Sequence, residues 1–197
     1  RVTLTKRNDT MILPIYLYGQ PVLRQEAEEI TKDYPDLENL VENMYETMYA
    51  SDGIGLAAPQ VGLSIRLVVI DADALKESFP ELEGVKLTLI NPELDIIEEG
   101  KKVTREEGCL SVPGIHEPVA RYEKLRLNWL DMDFVEHEEV FEGFLARIIQ
   151  HECDHLDGTL YVDKTTPIRK QLIRTKLKNI AEGKIMCDYK TKQQRKH

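Results

Sequence analysis

No apolar run in this 197-residue chain approaches the roughly 18 to 20 residues that cross a bilayer. The opening stretch also lacks a secretory leader's basic start, unbroken apolar run and small-residue cleavage site. Cysteine is scarce: Cys109, Cys153 and Cys187 are odd in number and their spacings fit no disulfide framework. These absences predict a soluble, cytoplasmic protein whose thiols are free or metal-bound. Internal repeats, low-complexity blocks and linkers are lacking too, which predicts one domain. At 42% apolar residues the chain can build one sizeable core, so disorder of the whole chain is excluded.

What the chain does have is charge, unevenly spread. From Lys164 onward eleven Lys and Arg face only Glu182 and Asp188, a local +9 within a net charge of −9. The acidic remainder argues against wholesale coating of nucleic acid, while the basic end can dock on a polyanion. A solvated helix face with a frayed end would carry the same charges.

Periodicity divides the chain. Residues 1–10, RVTLTKRNDT, have no clear period and read as an extension or an expression remnant; residues 11–183 read as the domain and 184–197 as a basic tail. Pro21 opens helical text, and Leu37, Leu40, Val41, Met44, Tyr45 and Met48 mark one face of a helix ending near Gly53. After Gly62 come β-type runs, RLVVID, VKLTLINPELDIIEEG, EKLRLNWLDMD and EEVFEG, with DADALKESFPELEG as a surface loop between the first two. GFLARIIQHECDHLDG returns to helix, with Leu145, Ile148, Ile149 and Leu156 as a buried stripe and Gly158 as its stop. In TTPIRKQLIRTKLKNIAEG, Thr166 is the N-cap, Pro167 the first turn, Ile168, Leu172, Ile173, Leu177 and Ile180 the apolar stripe, and Gly183 the stop. The predicted class is α+β: mainly antiparallel sheets packed around a central helix, with N-terminal helices and a C-terminal amphipathic helix.

That central helix carries the chemistry. His151 and His155 stand four residues apart, on one helical face, with Glu152 flanking it. In this HExxH arrangement two imidazoles hold a metal and the carboxylate handles the proton of the attacking water. Two surface histidines on a charged helix would show the same spacing. A catalytic site of this kind uses three protein ligands, and no downstream residue supplies the third at the spacings of common metalloproteases. Upstream, Cys109 in REEGCLSVPG offers a soft thiolate, although a lone cysteine also serves as a small buried hydrophobe. The segment DGIGLAAPQVG gathers small residues before Gln60, whose amide donates without ionising; it is not a phosphate loop, and it also reads as a packing seam.

Taken together, GIGLAAPQ, EGCLS and QHECDH, in this order, resemble the three signature motifs of the peptide deformylase family, and the resemblance spans Ile12 to about Gly183. It implies a hydrolase that removes the formyl group from the N-terminal methionine of new polypeptides and releases formate. Cys109, His151 and His155 are then the ligands of one divalent metal and Glu152 the general base. Fe²⁺ is the family's metal, while a Cys/His/His set has higher intrinsic affinity for Zn²⁺ or Ni²⁺. The Gln60 amide and the Leu110 backbone N–H are the implied donors to the tetrahedral oxyanion.

The methionine side chain is expected against Ile54, Ile148 and the stem of Arg147, with Gly55 and Gly108 walling the formyl carbon closely. Glu107 and Arg121 are expected to pair beneath the site and steady a ligand. Cys153 and Asp154 face away from the metal, Cys153 toward the core, and His137 lies on a solvated hairpin. His116 departs from relatives that carry a basic residue near the substrate backbone. The Pro167–Glu182 helix is similar to that of the bacterial type 1 form, which implies the ribosome as a partner beside nascent formyl-methionyl chains, with no membrane and no DNA. A zincin-like endopeptidase lacks its downstream ligand here, and a non-enzymatic metal-binding protein would not need Cys109, Glu152 and Gln60 intact.

Overall fold

The computed structural model describes residues 10–193. In chain order these form β1 (Ile15–Tyr16), α1 (Leu37–Ala50), β2 (Gly55–Ala57), β3 (Leu67–Asp71), β4 (Lys86–Ile96) and β5 (Val103–Cys109). There follow β6 (Val112–Arg121), β7 (Lys124–Leu130), β8 (Glu136–Glu142), α2 (Gly143–Leu156), α3 (Pro167–Ala181) and β9 (Thr191–Lys192). Strands β2-β3-β4-β7-β8 make one antiparallel sheet, β5 and β6 a long hairpin, and β1 pairs with β9 in parallel.

The uninterrupted apolar run Leu67 to Ile70 suits a strand covered on both faces. Leu67 and Val69 join one core cluster with Val41, Met44 and Met48 of α1, while Val68 and Ile70 join a second with Ala146, Ile149 and Cys153 of α2. The sheet is therefore filled between two helices, and α2 is the one that carries the histidines. The mixed helix and antiparallel-sheet class is as expected, with α2 on the sheet and α3 at its predicted position, capped by Thr166, whose hydroxyl accepts from Arg169 N.

Several local expectations are corrected. Among the described residues one α-helix, not several, precedes the sheet, because Pro21–Arg24 makes only a 3-10 turn and the chain then extends. Tertiary backbone pairing takes over there: Glu28 N donates to Ser64 O and Arg66 N to Glu28 O. The DADALKESFPELEG stretch is no mere surface loop, since it makes two 3-10 turns, buries Leu82 and stacks Phe79 on Phe144 at 4.2 Å. Leu145 is only half-buried. On α3 only Ile173 and Ile180 are buried, whereas Ile168 and Leu172 are exposed. That helix is held instead through Arg169, which donates twice to the buried Glu117 of β6.

The region beyond residue 183, read as a tail, is packed as far as Gln193: Ile185, Cys187 and Tyr189 lie against the core and β9 pairs with β1. Residues 1–9 and 194–197, the ends of the expected extension and tail, lie outside the described residues. No helix among the described residues is long and apolar enough to cross a membrane.

The stop of α2 is a close contact. Gly158 takes φ +70°, and a Cβ there would lie 2.7 Å from the carbonyl oxygen of Arg24, a backbone atom that cannot swing aside. Gly158→Ala should therefore destabilise the protein by at least about 1 kcal/mol from the left-handed backbone alone, read as a lowered urea midpoint.

Candidate active site

Helix α2 places the His151 and His155 rings 5.4 Å apart between centroids, at 75° to each other. The hairpin delivers Cys109 from the end of β5, and its Sγ stands 3.4 Å from His155 Nε2. One donor atom from each of these three residues lies within 4.8 Å of the others. Tetrahedral coordination at zinc-like bond lengths sets donors roughly 3.3 to 3.8 Å apart, so the thiol and His155 already stand at that spacing. A thiol, two imidazoles and no lysine or arginine among the three suit a borderline-soft divalent cation.

The neighbours of this cluster set its chemistry. Glu107, on β5, accepts four hydrogen bonds: two from Arg121 at 2.7 and 2.9 Å, one from Arg147 at 2.6 Å and one from His151 Nδ1 at 2.8 Å. Burial would raise its pKa, but the bonds from His151 and Arg121 outweigh that and hold it at about 2. The expected pairing of Glu107 with Arg121 is thus present, and Arg147, 2% exposed, joins it through its guanidinium while its side chain also lines the cavity. Burial would lower the pKa of His151, yet hydrogen bonds with Cys109 and Glu107 leave it well above the ordinary histidine value. His155 is driven well below that value by burial and by the charges of His151 and Arg121.

Glu152 is buried against edge strand β2. A Cβ on Gly55 would lie 2.6 Å from Glu152 Oε1, so the absence of a side chain at Gly55 makes room for this carboxylate. Glu152 Oε2 is buried without a hydrogen-bond partner, and burial lifts the Glu152 pKa to about 7. An unpaired buried carboxylate beside a cluster of donors able to hold a cation is a costly arrangement that a packed core would avoid. Gln60, 1% exposed, accepts from Ala57 N at 3.0 Å, which aims its NH₂ at Ser111 Oγ, 3.1 Å away, and at Cys109 Sγ, 3.4 Å away.

These groups open into one cavity of about 540 Å³, lined also by Ile54, Gly108, Leu110, His116, Phe144 and Ile148. Every residue named from the sequence for the metal, the base, the oxyanion and the methionine side chain borders this cavity except His155, which is buried beside Cys109. His116 lies over Gly108, where a Cβ would meet its ring at 2.7 Å. Cys153 is in the core, and Asp154 turns away to Arg121 Nη1 at 2.9 Å. His137 is not simply solvated: it stacks on Trp129 and pairs with Asp131 at 2.7 Å.

The family model for polypeptide deformylase matches residues 12–171. The chain belongs to the polypeptide deformylase family. A peptide deformylase of Flavobacterium psychrophilum is 49% identical over 189 residues, covering 92% of this chain and 97% of that protein. Among solved structures, the peptide deformylase of Thermotoga maritima is 38% identical with a TM-score of 0.71, covering 80% of this chain and 99% of its own. That of Synechococcus elongatus, in complex with actinonin, is 35% identical with a TM-score of 0.74, covering 86% and 91%.

Sequence reading missed three contributors to this deformylase site. Tyr161 stacks on His151, with ring centroids 5.7 Å apart, and donates to the carbonyl of Ile115. Ser111 accepts from Gln60, and Tyr189 donates to the Leu110 carbonyl at 2.6 Å. Only Ser111, inside EGCLS, had a signal in the sequence; the two tyrosines reach the site through tertiary contacts.

Glu107 generates a prediction. Its folded pKa of about 2, against an ordinary 4.5, gives a stabilisation fully present above pH 4.5 and lost as pH falls toward 2. Glu107→Gln leaves Arg147 without a carboxylate partner and Arg121 with Asp154 alone, a loss of about 3 kcal/mol at neutral pH. Urea titrations of metal-free protein should show that loss together with a flatter acid limb than the wild type.

Proposed function

We propose that this chain is a metal-dependent amide hydrolase that removes the formyl group from the N-terminal methionine of newly made polypeptides and releases formate. The observation that carries the reading is the buried, unpartnered Glu152 carboxylate set beside the Cys109, His151 and His155 donors in a member of this family. Those three residues would hold the divalent metal, Fe²⁺ in the cell and Zn²⁺ or Ni²⁺ in a purified sample by their higher intrinsic affinity. Bound there, the cation supplies Lewis acidity to the formyl carbonyl and lowers the pKa of the attacking water.

Glu152 accepts a proton from that water at its free oxygen, and a carboxylate lifted to about 7 both takes and returns a proton near neutral pH. The water oxygen adds to the formyl carbon, and the carbonyl oxygen gains charge facing the Gln60 amide and the Leu110 N–H. When the C–N bond breaks, Glu152 returns its proton to the leaving amine, leaving formate and a free N-terminal methionine. Ile54, Ile148 and the Arg147 stem receive the methionine side chain, and Gly55 with the Gly108 backbone leaves room for a formyl hydrogen but not an acetyl methyl. Glu107 and Arg121 orient His151 from behind.

The work belongs in the cytoplasm, where nascent chains emerge. The exposed cations of α3, among them Lys170, Arg174 and Lys176, would face ribosomal RNA. Cutting the chain after Gly158 cannot test this cleanly, because Tyr161, Ile173 and Ile180 belong to the core.

Formate release from formyl-Met-Ala-Ser, measured with anaerobically loaded Fe²⁺, should fall by about 10² to 10⁴ in Glu152→Ala, and equal rates would overturn the general-base role. Reversing Lys170, Arg174 and Lys176 to Glu should weaken ribosome binding and flatten its dependence on salt; an unchanged slope in a binding titration counts against a polyanion contact.

A further inference from the structure

After α3 the chain turns at Gly183 and runs extended with a period of two: Ile185, Cys187 and Tyr189 are half-buried against the core, while Met186, Asp188 and Lys190 are exposed. Backbone and side-chain anchors hold the C-terminal end of this run. Ile15 N donates to Lys190 O at 2.9 Å, Leu17 N to Lys192 O at 3.1 Å, and the Tyr189 hydroxyl to the Leu110 carbonyl at 2.6 Å. The segment therefore sits beside the loop that carries Leu110, and Met186 to Tyr189 form one wall of the cavity that holds Glu152 and His151.

Met186 is 98% exposed and still borders that cavity, which places it at the mouth. A large thioether left in water stands out on a surface where its neighbours are turned inward. A polypeptide presents its formyl end to the depth of the cavity, so what passes the mouth is the chain that follows. We propose that Met186 is a specificity-determining residue of the deformylation reaction proposed above, covering the side chain of the residue that follows the formyl-methionine. Its unbranched, adaptable side chain fits neighbours of different shape, and it gains most from a bulky apolar one. Tyr189, tied to Leu110, holds the wall in place without itself touching the reacting atoms.

The inference rests on the deformylase reading, and one comparison separates the two. In the full metal-loaded chain, kcat/KM for formate release is measured on formyl-Met-Leu-Ser and formyl-Met-Gly-Ser. The wild type should favour leucine, and Met186→Ala should lower the Leu/Gly ratio by about fivefold, chiefly through KM, as partial loss of an apolar contact implies. Met186→Leu should keep the ratio within about twofold of the wild type. An unchanged ratio in Met186→Ala, or the same fall in Met186→Leu, overturns the assignment while leaving deformylation intact. Absence of formate from both peptides with the wild type overturns the deformylase reading and this inference with it.

Discussion

One buried carboxylate ties together the elements on which Cys109, His151 and His155 meet. Glu107 stands two residues before Cys109 on the same strand, takes both arms of Arg121 from the partner strand, and reaches Arg147 and His151 on α2. The hairpin and the helix share no backbone ladder, so this cluster of charge-assisted bonds is their main polar tie. Two guanidiniums and one carboxylate out of water would be ruinous singly; together they pair, and Asp154, which also accepts from Arg121, supplies the second negative charge. The same bond that steadies the His151 ring also fixes which of its nitrogens is left for a cation.

A second constraint is steric. The sheet ends at β2, and the edge position of Gly55 brings bare backbone up to Glu152. The carboxylate is thereby buried, and that burial is what raises its proton affinity toward neutrality. On the β2 side there is no room for the carboxylate to move, whereas its other side faces the cavity.

Much of this was legible from residues alone because local and tertiary preferences agree there. The four-residue spacing of His151 and His155, the stop at Gly158, the cap at Thr166 and the apolar face of α1 all follow from helical periodicity. Legibility failed where long-range pairing decided the outcome. VPGIHEPVAR carries two prolines and a glycine, and becomes strand β6 only because β5 lies beside it. QEAEEI reads as helix but is drawn out by its backbone bonds to Ser64 and Arg66. Charge counting beyond residue 183 shows a basic end and is blind to Ile185, Cys187 and Tyr189, whose alternation is too short a signal to stand against it.

The parallel ladder of β1 and β9 joins segments from opposite ends of the described chain. Ile15 and Tyr16 are made well before the strand that completes their hydrogen bonding, and loop closure over such a span is slow. Because the later segment also carries Tyr189 to the Leu110 turn, one wall of the Glu152 cavity cannot close until the chain has been made past Tyr189.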